Sequence, residues 1–96
     1  MRTVFLVTGE NKVKAENILR KDDVVARQSI AYRQCLSLGV KEDGFFIIID
    51  GADNAIQKAR ELLKDLATEY KNKDAVLKAY DEQEEQASEG FGFIMK

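Results

Sequence analysis

The sequence predicts a mixed α+β fold: a four-stranded antiparallel sheet with helices mainly on one face, in the order β-α-β-β-α-(α)-β. Three observations carry that expectation. Gly44-Phe45-Phe46-Ile47-Ile48-Ile49-Asp50 is an apolar run, rich in β-branched and aromatic residues, with the length of a strand buried on both faces. An amphipathic helical pattern follows it at once. Another apolar run, Thr3 to Thr8, has the same two-sided character through Val4, Phe5, Leu6 and Val7.

The elements follow in order. After the Thr3–Thr8 strand, Gly9 ends the extended run, and Thr8 or Asn11 can cap a helix over Lys12–Lys21. Its apolar stripe is Ala15, Ile18 and Leu19, and Asp22-Asp23 breaks the pattern. From Val24 to Leu38 the residues alternate, with Ile30, Tyr32, Leu36 and Leu38 on one side. Arg27, Ser29, Ala31, Arg33, Cys35 and Ser37 take the other. This period of two predicts one long strand, or a strand with a bulge. Gly39–Gly44 makes a turn to the Phe45–Ile49 strand.

Asp50 is expected as the cap of the next helix, with Asp53 as a capping-box acid. That helix spans about Ala52–Tyr70, on the period of Ala55, Ile56, Ala59, Leu62, Leu63, Leu66, Ala67 and Tyr70. A break at Asn72 or Lys73 precedes a third helix, about Asp74–Ser88, which carries Val76, Leu77, Tyr80 and Ala87. Gly90 stops it, and Phe91–Met95 is expected as the fourth strand.

This order resembles the ferredoxin-like plait, whose sheet runs 4-1-3-2. The resemblance lies in element order and not in a motif. It implies that the two apolar strands are central and that the alternating strand, with Arg27 and Arg33, is a charged edge. Two plait helices cover only one sheet face. The other face then requires either the third helix or a second copy of the protein, and homo-oligomerisation through the sheet is expected.

The totals narrow the function classes. Ninety-six residues suit one domain, residues 1–96, and 45% hydrophobic with 33% charged residues is ordinary for a globular protein. No run approaches the ~20 apolar residues of a membrane-spanning helix, and the opening residues carry no secretory leader pattern, so a cytoplasmic protein is expected. With no His and a single Cys, Ser-His and Cys-His nucleophiles, an internal disulfide and the usual zinc sets are excluded. A net charge of −2 opposes a dedicated nucleic-acid binder.

Candidate sites are few. Thr8-Gly9-Glu10-Asn11-Lys12 lies at a strand-to-helix turn, where backbone N–H groups can hold an anionic group and glycine permits close approach. The turn loosely resembles that of the plait-shaped ACT modules, which implies a small effector there, although their Asp-x-x-Gly pattern is absent. Arg27 and Arg33 are added as cations at a subunit interface. Gly90-Phe91-Gly92-Phe93-Ile94 resembles the base-stacking motif of RNA-recognition modules. Glu89 stands where that motif has a cation and Lys96 where it has an aromatic, so no nucleic-acid partner is expected. Asp50 and Asp53 lack calcium-loop spacing and are expected as helix caps. Cys35 lacks a base or a resolving partner and is expected as a small buried residue. The acidic run Asp81, Glu82, Glu84, Glu85 and Glu89 is read as a solvated face that could meet Arg27 and Arg33 of another subunit.

The expected function is therefore a non-catalytic regulatory or small-ligand-binding homo-oligomer without cofactor or metal. A structural adaptor subunit is one alternative. A small enzyme using Glu10, Asp50 and Asp53 as acid or base is the other.

Overall fold

The computed structural model describes the backbone of residues 1–94 and the side chains of residues 1–85. Its elements are β1 (Arg2–Val7), α1 (Gly9–Lys21), α2 (Asp23–Ala26), β2 (Ser29–Gln34), a 3-10 turn (Cys35–Leu38), β3 (Phe45–Asp50), α3 (Asp53–Leu63), β4 (Ala67–Glu69) and α4 (Lys73–Ile94). All strand pairs are antiparallel, in the order β2-β3-β1-β4. This is the expected α+β class, and the order is compatible with the plait. The apolar runs β1 and β3 are central, and β2 is an edge.

Several boundaries differ from expectation, each for a physical reason. The alternating stretch is not one long strand. At its start the Asp22 carboxylate accepts from the N–H groups of Val24 and Val25, both at 3.0 Å, and thereby nucleates α2. At its end the chain curls into the 3-10 turn, which Gly39 closes at φ 77°, a left-handed conformation that suits glycine. Cys35 and Leu38 are thereby buried, and Leu36, expected inside, is 67% exposed.

Neither Asp50 nor Asp53 caps α3. The cap position is Ala52, whose N–H donates to Gln28 Oε1 at 3.2 Å, so a side chain from the end of α2 substitutes for a local cap. α3 stops at Leu63 instead of Tyr70. Leu66 to Tyr70 keeps a helical period but also carries Thr68 and Tyr70, and the unpaired side of β1 decides in favour of strand. With Ala67–Glu69 as the fourth strand, Phe91–Met95 is not the fourth strand: α4 continues through Ile94, and Met95 lies outside the described residues.

The sheet has an apolar layer on each face. Phe5, Val7, Ile47 and Ile49 pack against Ala15 and Leu19 of α1, Val25 of α2, and Ile56, Ala59 and Leu63 of α3. Val4, Phe46 and Ile48, on the opposite side, pack against Val76 and Leu77 of α4 and against Cys35 and Leu38. Phe46 meets Tyr70 edge-on, with centroids 4.9 Å apart. The third helix thus supplies the cover that the second face required, so this face does not demand a second copy.

Two residues of the acidic run find partners within the chain. Asp81 pairs with Arg2 at 2.8 Å and Glu84 with Arg33 at 2.7 Å. Among the described residues Arg27 takes part in no ion pair. Glu89 lies outside the described side chains.

Candidate functional site

The turn that joins β1 to α1 lies where Val7 stands opposite Phe45 on one side and Ala67 on the other. Four of the residues singled out in the sequence stay together at this corner. Thr8 occupies the cap position of α1, although its side chain makes no capping bond. Gly9 begins the helix against the Phe45 ring. Asn11 donates from Nδ2 to the Leu66 carbonyl at 3.5 Å, a long bond that links α1 to the segment leading into β4. Glu10 is exposed beside them in the first turn of α1.

The remaining three serve other surroundings. Lys12 ion-pairs with Glu16 at 2.7 Å and lies over the rings of Tyr32 and Phe45 at 5.6 and 5.1 Å, on the α1 side of the sheet. Burial, reinforced by Glu16, pushes the Tyr32 hydroxyl above its ordinary range. Arg27 ends α2, near the opposite end of the sheet. Arg33 lies on the α4 face, where it pairs with Glu84, stacks on Tyr80 at 5.0 Å and donates to the Tyr32 carbonyl at 2.9 Å.

The carboxylates of the enzyme reading do not converge. Glu10 adjoins the Phe45 end of β3 and Asp50 the other end, about 17 Å along a strand of this length. Among the described residues, no group of three or more Asp, Glu or Cys side chains is placed to share a metal ion. Cys35 is fully buried, as expected, and burial, with Glu42 second, pushes its thiol upward.

What the corner does contain is a shallow trough. One cavity of about 240 Å³ is lined by Leu6, Thr8, Asp43, Lys64, Asp65, Leu66, Ala67 and Thr68. A second, of about 280 Å³, is lined by Leu6, Thr68, Glu69, Tyr70, Lys71 and Asn72. Leu6 and Thr68 are directly opposite in the β1–β4 ladder and belong to both, so they form a common floor. The first compartment is mixed, with three charged side chains beside Leu6, Leu66 and Ala67. Its Asp43, Lys64 and Asp65 take part in no ion pair among the described residues. The second is walled by Tyr70.

β4 is fixed rigidly beneath this trough. Glu69, on the α3 side, receives two hydrogen bonds from Arg60 Nε, at 3.0 and 3.1 Å, and one from Arg60 Nη2 at 3.0 Å. The fully buried Thr3 hydroxyl donates to it at 2.7 Å. Arg60 first, then Thr3, holds the Glu69 carboxyl below its ordinary range.

Thr8 is the single site residue that sequence reading placed in the trough. Asp43, Lys64, Asp65, Thr68 and Tyr70 escaped it because their convergence depends on α3 ending at Leu63. Thr68 and Tyr70, both good strand formers two residues apart, were the available signal. Compared with known proteins, the chain matches no family model, no curated protein and no solved structure.

Proposed function

We propose that the chain works by binding, not by chemistry, and that its ligand site is the trough over Leu6 and Thr68 beside the Thr8–Gly9 turn. The observation that carries this reading is the trough's composition. Charged side chains without ion-pair partners among the described residues stand at one end, and an apolar compartment continues from it over a shared floor. Recognition sites combine those two elements, apolar area for affinity and a few convergent polar groups for orientation. A small ligand held there touches β1, β4 and the segment before β4 together, so binding tightens the corner. That coupling suits a regulatory module. Self-association is not needed for this reading, because every residue of the trough comes from one chain.

The test is a blocking substitution. Thr68 is exposed and outside the core, so Thr68→Trp fills the floor without disturbing packing. Native mass spectrometry and ligand-observed NMR with a mixture of amino acids, nucleotides, carboxylic acids and short peptides should find saturable binding to the natural chain that the folded variant loses. Ligands that bind both proteins equally, or no binding at all, would refute the trough as the site.

A further inference from the structure

The two edges of the sheet differ in a way that identifies the ligand. In an antiparallel ladder, alternate residues direct their N–H and C=O groups toward one neighbour or the other. The Tyr70 N–H donates to the Val4 carbonyl at 2.8 Å, so Tyr70 and Thr68 face β1. Ala67 and Glu69 therefore turn their backbone groups outward, and among the described residues no side chain bonds them. On the other edge, the Cys35 N–H donates to the Gly44 carbonyl at 3.0 Å, which by the same alternation turns the Tyr32 carbonyl outward. There the Arg33 guanidinium occupies it at 2.9 Å. One edge carries its own plug, and among the described residues the other carries none.

The open edge borders the trough. A strand added to β4 directs the residues opposite Thr68, and those two positions to either side, toward the same face as Leu6. The side chain opposite Tyr70 enters the compartment of about 280 Å³, with its apolar wall. The side chain opposite Leu66 meets Asp43 and Asp65 against the single Lys64, a net negative end. We infer that the site binds a short extended peptide that pairs antiparallel with β4, with an apolar residue toward Tyr70 and a basic residue four positions later toward Asp43 and Asp65. This rests on the trough being the ligand site. It adds the main-chain ladder, which gives affinity independent of side chains, and the two compartments, which select among peptides.

The test uses the full chain and the probe acetyl-Thr-Leu-Thr-Val-Thr-Lys-Thr-amide, followed by amide NMR. Saturable shifts are expected at Ala67 and Glu69, at a dissociation constant of about 1 mM or tighter. Methylating the peptide nitrogens of its third and fifth residues, which face Ala67 and Glu69, should weaken binding at least tenfold. Methylating those of its second, fourth and sixth residues should leave it within about threefold. Equal loss from both patterns, or no binding of the probe, overturns the peptide assignment. If small molecules still bind the natural chain and not Thr68→Trp, the trough survives and the peptide inference alone falls. If nothing distinguishes Thr68→Trp from the natural chain, both fall.

Discussion

Leu77→Ala tests whether α4 is what covers the second sheet face. Leu77 is 7% exposed and packs in the layer that contains Val4, Phe46, Ile48 and Val76. Truncating a buried leucine costs about 2–5 kcal/mol, more where the cavity cannot collapse. Leu77 sits on one helix near solvent, which can settle toward the sheet, so the lower part of that range applies, about 2–3 kcal/mol. Alanine carries no helix penalty, and the loss is one of packing alone. With a urea dependence of about 1–3 kcal/mol per molar for a small protein, the unfolding midpoint should fall by roughly 1–2 M. Lys78→Ala, one residue along and exposed, should move it by less than about 0.5 kcal/mol. Both are read by circular dichroism at two protein concentrations tenfold apart. A Leu77→Ala shift no larger than that of Lys78→Ala would refute the packing described here. A midpoint that rises with protein concentration would show that a second copy contributes the cover.

Two further outcomes follow from the packing. Glu69 is held in its charged form, so its contribution is complete above the ordinary carboxyl range near 4.5 and is lost as pH falls through its lowered folded value. Glu69→Gln should therefore lower stability at pH 7 by about 1 kcal/mol, a modest figure because the pair is partly exposed and screened. It should also flatten the decline of the thermal midpoint below pH 5, measured from pH 7 to pH 3. Gly44→Ala should cost more than Gly39→Ala: a Cβ at Gly44 would stand 2.4 Å from the Val7 carbonyl oxygen at φ 135°, whereas Gly39, at φ 77°, has open space. We expect about 1 kcal/mol for Gly39→Ala and at least 2 kcal/mol for Gly44→Ala. At roughly 4–8 °C per kcal/mol, calorimetry separates the two.

The parts of the fold that were legible in the sequence are those governed by a long, one-directional pattern. β3 and β1 carry unbroken apolar runs, Phe45–Ile49 and Val4–Val7, which forced them to the centre, and the helical period of Ala55, Ile56, Ala59 and Leu63 held. The errors fall where two patterns fit the same residues. Leu66, Ala67 and Tyr70 satisfy a helix as well as a strand, and only the vacant side of β1 distinguishes them. Phe91, Phe93 and Ile94 have strand chemistry, but once β4 had been formed upstream no position beside β1 was left for them. The Ala52 cap was illegible for another reason: its partner, Gln28, is distant in sequence, and no local motif announces it. The candidate site inherits these errors. Thr8 could be found from its own turn, whereas Thr68, Tyr70 and the charges around Lys64 could not be gathered without the correct end of α3.

The bare corner follows from the point at which the chain leaves the sheet. Tyr70, opposite Val4, is the last residue bonded to β1, and only Lys71 and Asn72 separate it from α4. The helix therefore starts at the β4 side of the second face. It must pass over the 3-10 turn in its middle, because Glu84 pairs with Arg33 and Gln83 donates to the Ser37 carbonyl. A helix joining those two points crosses the sheet diagonally. Among the described residues it covers Val4, Phe46 and Ile48 and leaves Leu6, in the same row as Phe46 and Arg33, only partly buried at the edge of that layer. The same diagonal brings the acidic turn of α4 to Arg33, which is thereby fixed where its guanidinium plugs the β2 edge. Closing one edge and exposing the floor beside the other are two consequences of one helix path. A change that redirects α4, such as Arg33→Ala, should thus act on both, loosening the β2 edge while altering access to Leu6 two strands, about 10 Å, away across the face.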